Sequence, residues 1–226
     1  MANVLVQGFM RTNTGDQIPL KNTAMAEGTE TTLQTDDTFT VTAQNIGNYK
    51  PGATILSGEV YAPNRVSFCY VLRQGVILGW LVPNKIGVTN REQMLSAPIR
   101  LRPGDTVRVL VLAASSRNAA LCVKTASGIS RIFIGTPSGA GTTNLLDLQD
   151  GTSIGDVLQG QTVTQAVFLL ASPEKISNCG GAVIRNASGQ LAGAVPASDP
   201  VSVEPMISNV NIPIALNFTA TVITGS

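Results

Sequence analysis

The chain is predicted to be all-β, an antiparallel sandwich or barrel of jelly-roll type. Three observations predict it. Apolar and β-branched residues recur in short runs with a period of two, the spacing at which one face of a strand is buried. Gly-, Pro- and Asn-rich turn signals separate these runs at the roughly 8–12-residue spacing of sandwiches and barrels. No strand–helix–strand alternation runs along the chain, so a parallel α/β sheet is disfavoured.

The elements follow in order. Residues 1–32 read as a polar, extended N-terminal segment, able to cross to a neighbouring subunit or to order on assembly. A single β-sandwich domain is expected over 33–226. Thr38-Phe39-Thr40-Val41-Thr42 alternates as a half-buried strand. Lys50-Pro51-Gly52 is a turn signal, and Thr54 to Tyr61 follows it as a strand. Arg65 to Leu72 is rich in β-branched and aromatic residues, and Val76 to Val82 is a second apolar run closed by Pro83-Asn84. Thr89 to Leu95 has a helix-like pattern. Arg102-Pro103-Gly104-Asp105 is the strongest turn, with Pro fixing φ and Gly supplying a positive φ. The strand after it, Thr106 to Ala113, is mostly apolar on both faces and is placed centrally in a sheet. Leu121 to Thr125 and Ile129 to Ile134 flank the hairpin loop Ala126-Ser127-Gly128. The loop at 135–143 is either a long surface loop or an internal break in the domain. Asn144 to Gly160 is the second helix-like region, with Thr152-Ser153 and Asp156 as a start signal and Gly160 as its end. Gln161 to Ala171 is a strand and Gly180 to Val195 a hairpin. From Ile212 to Thr224 alternation is uninterrupted and predicts one long strand, with Pro213 on a sheet edge because it lacks a backbone donor. No internal repeat is visible in the sequence.

Composition narrows the function. Charged residues make up 13% of 226 residues, about half the usual ~25% of a soluble domain. Thr, Ser, Asn, Gln and Gly must cover the surface, and a neutral surface resists self-association less than a charged one. The net charge of +1 gives no footprint for nucleic acid, and no basic arm precedes the first strand, so direct nucleic-acid binding is not expected. The charge is uneven. Basic residues dominate from Lys85 to Arg131, and acidic ones dominate from Asp147 onward, an asymmetry suited to orienting contacts between subunits. No stretch approaches the ~18 uninterrupted apolar residues of a membrane-spanning helix, and the first ten residues carry no export-signal pattern. Cys69 and Cys122 lie in apolar runs and read as buried thiols; with Cys179 they form no metal-ligand spacing.

Motifs that suggest chemistry lack essential parts. The chain has no histidine, the commonest general base and metal ligand. Gly151-Thr152-Ser153-Ile154-Gly155 matches G-x-S-x-G, but no imidazole is available to take the Ser153 proton. Gly135-Thr136-Pro137-Ser138-Gly139-Ala140-Gly141 is glycine-rich, yet Thr142-Thr143-Asn144 stands where a P-loop needs Lys and then Ser or Thr. Asp147, Asp150 and Asp156, with Asn144, offer oxygen ligands to a cation, without EF-hand spacing. Trp80 and Phe68 sit in apolar runs and read as core. No enzyme activity, catalytic residue, cofactor or metal is therefore expected.

Three features carry a general resemblance to a known class of proteins. They are the start Met1-Ala2-Asn3-Val4, the turn Arg102-Pro103-Gly104-Asp105-Thr106 before an apolar strand, and the alternating run Ile212 to Thr224. The chain resembles the single jelly-roll coat proteins of icosahedral viruses and phages. That resemblance implies an eight-stranded barrel, self-assembly into a virion shell, and partners that are copies of the chain and other virion structural proteins. Contact with an internal membrane or another capsid layer stays open. The alternative is a surface adhesion or glycan-binding β module, such as a spike component.

Overall fold

The computed structural model describes residues 3–12, 17–26, 30–32, 54–61, 67–83, 93–95, 99–100, 102, 105–112, 119–137, 139–170, 179–195 and 206–224. The chain forms two compact units, Met1–Val111 and Leu112–Ser226. The division falls at 111/112, and the candidate break at 135–143 lies inside the second unit. The N-terminal 32 residues contribute paired strands to the first unit.

In the first unit the strands are β1 (Asn3–Thr12), β2 (Gln17–Ala26), β3 (Glu30–Thr32), β4 (Thr54–Tyr61), β5 (Ser67–Arg73), β6 (Val76–Pro83), β7 (Gln93–Leu95), β8 (Ile99–Arg100) and β9 (Thr106–Val111). All pair antiparallel in one sheet of order β2-β1-β4-β7-β6-β5-β9-β3, with β8 continuing beside β4. β2 and β3 end this order on opposite sides, yet only three residues join them. Four Cα steps reach about 15 Å at most, whereas a flat sheet this wide spans about 34 Å at ~4.8 Å per strand. The sheet must therefore curl until its end strands approach each other. β9 lies between β5 and β3, as the sequence predicts for a strand apolar on both faces. Val107, Val109 and Val111 are buried on one side and Leu110 on the other. Phe68 and Trp80 are completely buried. Gln74 and Gly75, at φ 49° and 80°, make the two-residue turn between β5 and β6, the paired positive φ of a type I′ hairpin. Of the helix-like pattern at 89–95, residues 93–95 form the short strand β7, and 89–92 lie outside the described residues. The predicted strand Thr38–Thr42 lies outside the described residues.

The second unit contains β10 (Ala119–Thr125), β11 (Ser130–Gly135), β12 (Gly141–Asp147), the helix α1 (Ile154–Leu158), β13 (Thr162–Leu170), β14 (Cys179–Arg185), β15 (Leu191–Val195), β16 (Met206–Pro213) and β17 (Thr219–Thr224). Its eight-stranded order is β15-β14-β17-β12-β11-β10-β13-β16. The four strands β10 to β13 form one Greek key, with β13 returning beside β10; β14 to β17 form another, with β17 returning beside β14. Two Greek keys in eight antiparallel strands are the ingredients of jelly-roll architecture. The end strands β15 and β16 face each other without a hydrogen-bonded ladder. They touch where a Cβ on Gly193 would strike the Ile212 side chain, so the barrel is nearly closed. Leu121, Val123, Phe133, Leu145, Val163, Phe168, Ile184 and Val222 fill its core, alternating along their strands as period 2 requires.

The predicted long strand Ile212–Thr224 is two strands. The chain turns between them, where the Phe218 amide donates to the Ala215 carbonyl and Asn217 adopts φ 62°. Asn tolerates that left-handed conformation better than most residues. Alternation therefore continues across a turn, and the period alone does not reveal it. Pro213 does end an edge strand: among the described residues, β16 forms a ladder only with β13. The helix-like reading of 144–160 is correct only for α1. Residues 144–147 belong to β12, whose Leu145 and Asp147 point inward with Phe133 while Leu146 points out.

Candidate functional site

Ser153 and the aspartates singled out as chemical candidates lie at one end of the second barrel, where β12 leads through a turn into α1, whereas the glycine-rich loop 135–141 lies at the other. Each has a structural task. Ser153 is the N-cap of α1. Its Oγ accepts from the Asp156 amide at 3.2 Å and donates to the Asp156 carboxylate at 2.7 Å, a side-chain cap that satisfies one of the orphan donors of a first turn. Gly151 supplies a positive φ of 75°, which glycine adopts without steric cost. Gly155 is needed for space: a Cβ there would lie 2.8 Å from the Phe218 carbonyl oxygen and 2.9 Å from the Asn217 nitrogen. The Gly155 amide donates to Phe218 O at 3.0 Å, and Ile154 and Leu158 enter the core. The G-x-S-x-G match is thus the docking device of a helix that plugs the barrel end.

The three aspartates have separate partners within the protein. Asp156 serves the cap. Asp150 accepts from the Thr152 amide and hydroxyl, and those bonds hold its carboxyl below the ordinary carboxylate range. Asp147 is buried within the barrel end, accepting from the Gln149 amide at 2.7 Å. Among the described residues, no three His, Cys, Asp or Glu side chains are grouped to hold a metal. The glycine-rich loop after β11 is tied to β17, since the Thr224 hydroxyl donates to the carbonyls of Gly139 and Gly141. Carbonyl oxygens turned inward on a hydroxyl do not form a phosphate cradle, which requires converging amides.

Sequence reasoning misses Arg131 as the partner of Asp147. Val123, Arg131, Phe133 and Asp147 share the inward face by register, so strand alternation is the signal that pairs them. Arg131 Nε lies 3.8 Å from Asp147 Oδ2, and neither atom makes a hydrogen bond. Arg131 Nη1 donates instead to Gln149. Burial pushes the Asp147 carboxyl up, outweighing the Gln149 amide and the Arg131 charge. A raised carboxyl binds protons in the folded state at pH values where the unfolded chain has released them. Stability from this group is therefore greatest at low pH and declines as pH rises from the unfolded value of about 3.9 through the raised folded one. Asp147→Asn is expected to leave stability at pH 7 unchanged or higher and to flatten that slope. Arg131→Met strands the buried carboxylate and is expected to cost about 3 kcal/mol. Urea midpoints at pH 5 and pH 7 for both variants check this asymmetry.

The second missed constellation is in the first unit. Asp105, buried in the turn before β9, takes Arg73 Nε at 2.8 Å and Nη2 at 2.7 Å, plus the Arg102 amide at 2.9 Å. Beside β3, Tyr70 donates to Glu30, and Arg108 lies 3.6 Å from the same carboxylate. Cys69 and Cys122 are free and fully buried, and burial pushes both thiols far up, away from the reactive thiolate form.

The same end of the second barrel also gathers apolar surface. Ile129, Leu146, Leu191 and Leu216 are exposed, Leu191 by 60% and Leu216 by 50%. They lie in or beside the loops that follow β10, β12, β14 and β16, four strands that run in the same direction. Ser127, Asn186, Ser188 and Gln190 occupy the neighbouring hairpin tips.

No protein-family model matches the chain, and neither a curated protein nor a solved structure matches it. No helix among the described residues is long and apolar enough to cross a membrane.

Proposed function

We propose that the chain is a structural subunit that assembles with copies of itself into a virion capsid shell, alongside other virion structural proteins. One observation carries the reading: four large apolar side chains, Ile129, Leu146, Leu191 and Leu216, are exposed at one loop end of a nearly closed antiparallel barrel. Large apolar side chains left exposed at one end of a domain, with polar groups around them, are what a protein–protein interface presents. Low overall charge works in the same direction, because it weakens repulsion between copies. Ser153, Asp150 and Asp156 each hold the local backbone, roles that fit a structural subunit. A glycan-binding module would present an exposed aromatic or polar pocket, and Trp80 is wholly buried and offers no aromatic face to one.

The test is negative-stain microscopy of the purified chain at high concentration and moderate salt. Shells, sheets or regular rings are expected, and a strictly monomeric, monodisperse species under all conditions would overturn the proposal. Leu191→Glu with Leu216→Glu is expected to reduce assembly at least tenfold. Its thermal midpoint should stay close to the parent value, because both side chains are already half exposed or more.

A further inference from the structure

We infer that the chain is a tandem duplication: its two units are diverged copies of one eight-stranded barrel. With β7 and β8 counted as one interrupted strand, the first unit has eight strands, as the second has. In both, the first strand pairs the second and fourth, the eighth pairs the third and fifth, the fourth pairs the seventh, and the fifth pairs the sixth.

The likeness extends to single residues. Phe9, Met10 and Arg11 face Pro19, Ile18 and Gln17; Cys122, Val123 and Lys124 face Ile132, Arg131 and Ser130. Every residue of the second set lies 113 positions beyond its counterpart. Cys69, Tyr70, Val71 and Leu72 face Val109, Arg108, Val107 and Thr106; Ala182, Val183, Ile184 and Arg185 face Val222, Thr221, Ala220 and Thr219, again 113 positions on. Thr54–Arg100 and Ile55–Ile99 match Thr162–Pro213 and Val163–Ile212, with the fourth strand shifted by 108 and the seventh by 113. Thr31–Val109 and Thr32–Arg108 match Thr143–Val222 and Asn144–Thr221, the third strand shifted by 112.

Two of the register irregularities coincide too, whereas the shifts between Val6 and Gly8 and between Cys179 and Gly181 have no counterpart. The ladder of the first and fourth strands shifts register between Arg11 and Thr12 in one unit and between Lys124 and Thr125 in the other. The ladder of the fifth and sixth shifts between Val71 and Leu72, and between Ile184 and Arg185; just before it, Gly79 and Gly193 hold the same position. The turn into the eighth strand is closed by Asp105 N to Arg102 O in one unit and by Phe218 N to Ala215 O in the other. A shared architecture fixes strand order, but it does not fix bulges to the residue; such bulges are kept within families. Few side chains survive the divergence. Ile99 and Ile212, Thr106 and Thr219, and Val109 and Val222 remain identical at the offset of 113.

The copies differ where each locks its loop end. The first uses the Arg73–Asp105 clamp, whose positions hold Asn186 and Phe218 in the second. The second has α1, whose Gly155 binds Phe218 O. Any surface that one barrel presents to a partner thus has a positional counterpart on the other. The inference rests on registers and holds independently of the shell reading.

Paired cysteines in the full chain test it, read by mass spectrometry of intramolecular disulfides after mild oxidation. The equivalent pairs are Arg11→Cys/Ser57→Cys with Lys124→Cys/Gln165→Cys, and Leu72→Cys/Thr106→Cys with Arg185→Cys/Thr219→Cys. Within each equivalent set, the two units are expected to link to a similar extent, at least tenfold above controls displaced by two residues, Arg11→Cys/Glu59→Cys and Lys124→Cys/Val167→Cys. If one unit links in register while its counterpart links only in the displaced control, or not at all, the duplication is overturned. The readout needs no assembled particle, so failure of the shell reading leaves it intact.

Discussion

Replacing Gly155 by valine is expected to remove about 3 kcal/mol of stability, the upper range for forced overpacking. The obstruction is backbone rather than a side chain able to swing aside: a Cβ at this position meets the Phe218 nitrogen and oxygen and the Asn217 nitrogen. Relief requires either α1 or the turn between β16 and β17 to move. Moving α1 breaks the bond from Gly155 N to Phe218 O and draws Ile154 and Leu158 out of the core. Moving the turn strains Asn217, already at φ 62°. Gly151→Ala is the control. Its φ of 75° disfavours any side chain, but the space around it is open, so a loss of only about 1 kcal/mol is expected. Urea unfolding of the two variants, with amide exchange across α1, separates them. If Gly155→Val is no less stable than Gly151→Ala, the helix does not plug the barrel as described.

The sequence reveals elements whose period and punctuation agree. β4, β6, β9, β10, β11 and β13 lie within a residue or two of their predicted runs, because each carries an apolar alternation bounded by Gly, Pro or Asn. It misleads where the two signals separate. Ile212 to Thr224 keeps its alternation through a turn, because Ile214 stays buried at its entry and Ala220 resumes the inward face at its exit. β12 carries Thr142, Thr143 and Asn144 on a largely exposed stretch, so its strand character comes from the neighbours β11 and β17 rather than from its own residues. The duplication is hidden for a related reason. A buried strand position asks only for an apolar side chain of fitting size, so Cys69 and Ala182, or Val107 and Ala220, serve one role without resembling each other. Register persists after side-chain identity is lost. The candidate site was half legible: the Ser153 cap follows from local spacing, whereas Arg131–Asp147 and Arg73–Asp105 join residues 16 and 32 positions apart and depend on strand pairing.

Arg73→Ala is expected to cost about 3 kcal/mol at pH 7 and to reverse the way the first unit responds to acid. Asp105 is buried, and burial by itself pushes its carboxyl up. Two Arg73 hydrogen bonds, the Arg102 amide and the two guanidinium charges outweigh that and hold it below the ordinary range. A lowered carboxyl contributes stability that is fully present above its unfolded pKa of about 3.9 and is lost as pH falls through the lower folded value. Removing Arg73 leaves a buried carboxylate with the Arg102 amide as its main remaining partner, the situation in which breaking one side of an ion pair is most damaging. The low end of the usual ~3–5 kcal/mol is expected because Arg73 is 28% exposed and part of the interaction is already screened by solvent. Burial then dominates, the carboxyl rises above its unfolded value, and the variant recovers stability as pH falls from 7 towards 4. Asp105→Asn in the same background removes the charge altogether and is expected to restore most of the loss at pH 7. Urea midpoints at pH 7 and pH 4 for the parent, Arg73→Ala and the double variant measure each step. A parent and a single variant with parallel pH dependence would show that the clamp carries no net electrostatic stabilisation.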